Sequence, residues 1–189
     1  LLEFKQTIDN VVIGPWQKNA LFINGVREAF AELINSRHNK PAELIAQFFD
    51  AKLRTGYKEL SEEKMDETFD RVIVLFRFIN GKDVFEAFYK THLARRLLLQ
   101  KSSSNDAERS ILSKLKQECG SQFTGKLEGM FKDVHRSTEL TSSFKQGPGA
   151  KFGTELDLHV NILTASHWPT YSPKEVVLPQ KIQEMQAAF

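Results

Sequence analysis

The sequence predicts a mainly α-helical protein, a helical bundle followed by a small, incomplete α+β segment. Three features carry that expectation. Apolar residues recur at three- and four-residue spacing from Leu1 to about Phe144, the period of one face of a helix. Around Gly147 that pattern stops at the glycine- and proline-rich stretch KQGPGAKFGTE, and such stretches punctuate regular structure. Beyond it, LDLHVNIL alternates strictly, with Leu156, Leu158, Val160 and Ile162 on one face and Asp157, His159 and Asn161 on the other. That is the period of a half-buried antiparallel strand. At 189 residues, 41% hydrophobic and 26% charged, the chain has ordinary globular composition and enough length to bury a core. Its 15 phenylalanines supply large flat side chains for the spaces between helices.

Each element follows from local chemistry. Leu1, Phe4, Ile8 and Val11 form a first stripe, which Gly14-Pro15 ends or kinks. Asn19 is placed to cap a second helix, whose stripe is Phe22/Ile23, Val26, Phe30 and Leu33/Ile34. Pro41 suits the first position of a third, through Leu44, Ile45, Phe48 and Leu53, with Gly56 just past its end. Glu62 and Glu63 suit the positive end of a fourth helix dipole. This helix carries Phe69, Val72, Ile73, Phe76 and Ile79, and VIVLFRFI within it is apolar nearly all round. It is expected to be the most buried element.

Gly81 breaks the pattern, and Asp83 can cap a fifth helix bearing Phe85, Phe88, Tyr89, Leu93 and Leu97. After a serine stretch, Ile111, Leu112, Leu115 and Cys119 mark a sixth, with Gly120 at its C′ position. Ser121 starts a seventh with Phe123, Leu127, Met130, Phe131 and Val134, and a short amphipathic piece ending at Phe144 closes the α portion. WPTYSP reads as a proline-punctuated turn, EVVL as a second short strand, and Pro179 opens a last helix. Two short strands make a marginal sheet. Their partners are expected from outside this chain or from another protein.

The sequence offers no catalytic constellation. His38, His92, His135, His159 and His167 share no metal-ligand spacing, and with the single Cys119 no metal or other cofactor is expected. Cys119 lies in phase with Ile111 and Leu115, as a buried structural thiol does, rather than in an electropositive setting that would activate it. The glycines of QGPGAKFG lack the phosphate-loop pattern. No apolar run is long enough to span a bilayer, and a net charge of +2 gives no global field for nucleic acid or an anionic membrane. Leu1 is not an initiator methionine and no charged-then-apolar leader follows it, so the chain reads as cut from something longer.

The segment FYKTHLARRLLLQKSSSNDAE concentrates Lys90, Arg95, Arg96 and Lys101 ahead of Asp106. One reading is a helical nucleic-acid-binding module, which a steep salt dependence of binding would reveal. The helical phase favours architecture. Arg96 lies between Phe85 and Tyr89 on the wheel, with its stem buried and its guanidinium at the rim or paired with a carboxylate. Ser104 or Asn105 then caps the next helix, with Asp106 and Glu108 in its first turn. Lys90 and Lys101 remain as candidate contacts for an acidic partner.

GKDVFEAFYKTHLARRLL (residues 81–98), SNDAERSILSKLKQECGSQFTGKLEGMFKDV (104–134) and NILTASHWPTY (161–171) resemble consecutive blocks of the cullin homology domain. NKPAELIAQFFDAKLRTG (39–56) and LLEFK are most similar to the type-four cullins, which work with a large β-propeller adaptor. The resemblance implies the end of the last cullin repeat and its leading helices over 1–36, a four-helix bundle over 37–145, and the start of an α/β domain over 146–189. It implies a non-catalytic scaffold of a RING ubiquitin ligase, nuclear and cytoplasmic, serving protein ubiquitination and degradation. A RING-box protein would add a strand along Leu156, Asp157, Leu158, His159, Val160, Asn161, Ile162 and Leu163, with Trp168 behind. A ubiquitin-conjugating enzyme would follow indirectly through the RING. Cullin-exchange and deneddylase regulators are implied as further partners. The β-propeller adaptor would bind N-terminal repeats that residues 1–189 do not contain, and the winged-helix region with its modifier-accepting lysine is likewise absent. His167 stands where the family usually has an aromatic or small residue.

Overall fold

The computed structural model describes residues 1–54, 61–153 and 157–189. Within them the chain forms α1 (Leu2–Ile13), α2 (Ala20–Asn35), α3 (Lys40–Arg54), α4 (Glu62–Phe76), α5 (Lys82–Leu98), α6 (Asn105–Cys119), α7 (Ser121–Gln146) and α8 (Gln180–Ala188), with a 3-10 turn at Pro148–Phe152. Side-chain caps set several boundaries, as the Asn and Ser positions predict. Asn19 Oδ1 accepts the Leu21 N–H at 2.9 Å, and Ser104 Oγ accepts the Ala107 N–H at 3.2 Å. Gly120 adopts φ +85°, a conformation open to glycine, and so lets the chain pass from α6 directly into α7.

Several elements depart from expectation. Asp83 lies in the first turn of α5 while Gly81 occupies the cap. The amphipathic piece before Phe144 is not separate: α7 runs unbroken to Gln146, because no residue between Gly129 and Gln146 interrupts a helix. QGPGAKFG is not a loose linker throughout, since Pro148–Phe152 makes a helical turn with Gly149 buried against Phe144. The α+β segment is the main correction. No strand forms among the described residues, and EVVL leaves Val176 69% and Val177 98% exposed. Residues 157–163 and 175–178 make no backbone ladder with each other, and a strand without a ladder partner is not a sheet. Gly56 and Leu156 lie outside the described residues.

The core is aromatic. Phe76 and Phe85 meet edge to face with ring centroids 4.8 Å apart, and Phe49 lies 5.7 Å from Phe69 and 6.2 Å from both Phe85 and Tyr89. The deepest helix is α5 rather than α4. Phe85, Tyr89, Leu93, Ala94 and Arg96 of α5 are all fully buried between α3 and α7. The sequence places the Arg96 stem in this core and its guanidinium at the rim or on a carboxylate, whereas the whole side chain is buried.

Arg96 is fully buried. Its Nε donates to Glu108 Oε1 at 2.7 Å, Nη2 to Glu108 Oε2 at 3.0 Å, and Nη1 to Asp50 Oδ1 at 2.6 Å. Its guanidinium lies over the Tyr89 ring, 5.6 Å from the centroid. Burial works against the charge, but the Glu108 and Asp50 bonds outweigh it and raise the guanidinium pKa above its ordinary value. Ser102 adds a hydrogen bond to Glu108, and the Ser103 N–H donates to the Leu53 carbonyl at 2.8 Å. One side chain thus joins α3, α5 and α6, and its partner Glu108 ties in the connector between the last two.

Phe76→Ala should destabilise the chain by about 3–5 kcal/mol in denaturant melts, through lost contacts and the cavity left behind. Glu108→Ala should cost about 3–5 kcal/mol, since it leaves much of a buried cation unpaired. Adding Arg96→Met to Glu108→Ala should recover part of that loss, a coupling that a double-mutant cycle reads directly.

Candidate partner-binding edge

The alternating segment forms a strap laid along α7. Residues Gly129, Asp133, Ser137, Thr141 and Lys145 recur every four positions and so form a continuous stripe that winds gradually around that helix. Each meets the strap in antiparallel order. Lys145 pairs with Asp157. Thr141 Oγ1 donates to the Val160 carbonyl at 3.2 Å and accepts the Val160 N–H at 3.4 Å. Ser137 Oγ accepts the Ile162 N–H at 2.8 Å, while its own proton goes to the Asp133 carbonyl at 2.7 Å. Asp133 accepts from the Thr164 N–H at 2.8 Å, the Thr164 hydroxyl at 3.0 Å and the Trp168 indole N–H at 2.8 Å.

The match is geometric. Four residues of helix advance about 6 Å, and two residues of extended chain advance about 6.6 Å. Helix side chains at every fourth position can therefore meet the backbone of every second strap residue. Successive residues of an extended chain send their backbone groups to opposite sides. With Val160 and Ile162 facing α7, the backbones of His159, Asn161 and Leu163 face away, and among the described residues none of the three makes a backbone hydrogen bond. The strap thus presents one open edge. Trp168 is 5% exposed and belongs to the buried core, and Leu163 packs against it.

Asp133 is the charged anchor. Partial burial works against its carboxylate, but the Thr164 amide, the Trp168 indole and the Thr164 hydroxyl outweigh burial and hold its pKa below the ordinary value. Asp133, Ser137 and Thr141 were not singled out by the sequence reading. The signal was present as a stripe of short polar residues at four-residue spacing beside the apolar face of α7.

The other expected positions are dispersed. Asp157 and His159 are exposed, Leu158, Val160, Asn161 and Leu163 are half-buried, and Ile162 is 43% exposed. Lys101 is exposed and Lys90 half-buried, with no ion pair to a described residue. Arg96 is unavailable to a ligand, which takes the most central cation out of the nucleic-acid reading. Cys119 is half-buried rather than buried, and burial pushes its thiol pKa up. Among the described residues no group of three or more His, Cys, Asp or Glu is placed to hold a metal ion.

Residues 1–141 match the cullin alpha solenoid domain. The chain is 53% identical over 195 residues to Cullin-4A of Mus musculus, a match covering 100% of this chain and 25% of that relative. The chain belongs to the cullin family. It is also 44% identical to Cullin-4 of Dictyostelium discoideum, over 100% of this chain and 24% of the relative. Cullin-4 of Schizosaccharomyces pombe (strain 972 / ATCC 24843) is 40% identical, over 97% of this chain and 26% of the relative. This cullin chain therefore resembles the type-four members, and it spans about a quarter of the length of these curated relatives.

The Asp133 clamp has a pH signature. A carboxyl whose pKa is depressed by folding adds stability that is complete above the unfolded value, about 4, and is lost as pH falls through the lower folded value. In a Trp16→Phe background, Trp168 emission should therefore change in acid below about pH 4. Asp133→Asn should remove that transition.

Proposed function

We propose that this cullin chain is part of the non-catalytic scaffold of a RING ubiquitin ligase, and that its strap accepts a strand from a RING-box protein. The open backbone edge at His159, Asn161 and Leu163 carries the reading. Strand addition needs a row of unpaired N–H and C=O groups, and the opposite side of this strap is already occupied by α7. The added strand would supply the ladder that residues 157–163 lack within the chain, so that 146–189 forms the start of an α/β domain completed from outside. Through the RING the scaffold would hold a ubiquitin-conjugating enzyme and contribute by fixing its position relative to substrate. Lys90 and Lys101 are proposed as contacts for an acidic partner. The exchange and deneddylase regulators, the β-propeller adaptor bound elsewhere in the longer protein, and a nuclear and cytoplasmic setting belong to the same reading.

Asn161→Pro is the direct test. Proline removes the outward N–H while keeping an extended backbone, and it leaves the Val160 and Ile162 bonds to α7 in place. Co-purification of a co-expressed RING-box protein should fall at least tenfold while the helical melt is unchanged. Undiminished capture by this variant would remove strand addition at the strap.

A further inference from the structure

We infer that α7 is a register template for the strap, with Gly129 and Asp133 as its positioning residues. The strap is held by side chains of one helix rather than by a neighbouring strand, and its register decides which backbone groups face outward. A one-residue slip would turn His159, Asn161 and Leu163 toward α7 and leave Val160 and Ile162 on the open side. The middle of the strap cannot prevent this alone, because Ser137 and Thr141 bond to backbone that every residue carries.

The specificity sits at the Trp168 end. Asp133 takes two donors from Thr164 and one from the Trp168 indole, a combination that only this pair of residues supplies at that spacing. One turn earlier, His167 lies flat against Gly129. A β-carbon built on Gly129 would fall 2.5 Å from Cε1 and 2.8 Å from Cγ of the imidazole, closer than side-chain atoms approach. Glycine in a helix interior is the poorest former after proline. Of the two glycines within α7, Gly125 has open space around it and Gly129 alone meets another side chain. The absence of a side chain at Gly129 forms the notch, and His167 is the tooth that seats in it.

The inference rests on strand addition only for its effect on partner capture, since strap position can be read without a partner. In the 189-residue chain, Gly129→Ala should raise the hydrogen-exchange rates of the amides of residues 160, 162 and 164 at least tenfold. The rest of α7 should stay protected, because alanine is the better helix former. RING-box capture should fall by a similar factor. The double variant Gly129→Ala/His167→Ala, which removes the colliding ring, should restore both readouts. Unchanged exchange in Gly129→Ala, or a double variant as impaired as the single, would overturn the template. Wild-type chain that captures no RING-box protein would instead overturn strand addition, and the exchange comparison would still decide the template.

Discussion

The buried guanidinium of Arg96 is the constraint on which the other helices depend. It bonds Glu108 of α6 through two nitrogens and Asp50 of α3 through a third, from the last turn of α5. A buried ion cluster of this kind adds little stability over a well-packed apolar one, because desolvation offsets most of the attraction. Its geometry is what it fixes. The planar fork of arginine bonds a carboxylate in two places only when both are correctly oriented, so α6 cannot rotate or slide against α5 without leaving a charge unpaired. The connector is tied in by Ser102 on Glu108 and by the Ser103 amide on Leu53. The joint between α5 and α6 is thereby a fixed corner, and α7, which packs on both helices, inherits its position from it.

From that corner α7 faces two ways. Leu127 and Met130 are buried in the aromatic core, and the stripe from Gly129 to Lys145 faces the strap. That stripe advances sixteen residue steps, about 24 Å of helix, which is the length over which the strap is supported. Polar residues as short as serine and threonine bring the backbone of the strap close to the helix surface, and longer ones would hold it away. The stripe widens at the end where the strap carries its largest side chains. There aspartate reaches the indole and glycine admits the imidazole.

Much of this was legible in the sequence and some was not. The apolar stripes located the helices, and Asn19 and Ser104 marked two starts, because both signals act within a few residues. Arg96 was placed in phase with Phe85 and Tyr89 from periodicity alone. Its full burial depended on Asp50, 46 residues away, which no local pattern predicts. The alternation of LDLHVNIL suggested a strand ladder, and residues 157–163 make none among the described residues. Periodicity records which side chains share a face, and it does not say whether the neighbour offers backbone or side-chain partners. Gly129 was passed over as one residue in an amphipathic stretch, since its meaning comes from His167 at the far end of another segment.

The strap's own energetics divide it into two parts. From Asp157 to Ile162 the backbone bonds to α7 are those of the N–H and carbonyl groups of Val160 and Ile162. The side chains there are at best half-buried. The other part, from Leu163 to Trp168, has a buried indole and an ionic clamp. It is the anchored end, and the preceding stretch is held mainly by continuity with it. In the proposed complex, bonds from an added strand would fall on this weaker stretch, at His159 and Asn161. Partner binding would then reinforce the α7 bonds of that stretch from its other side, with register set beforehand at the anchored end.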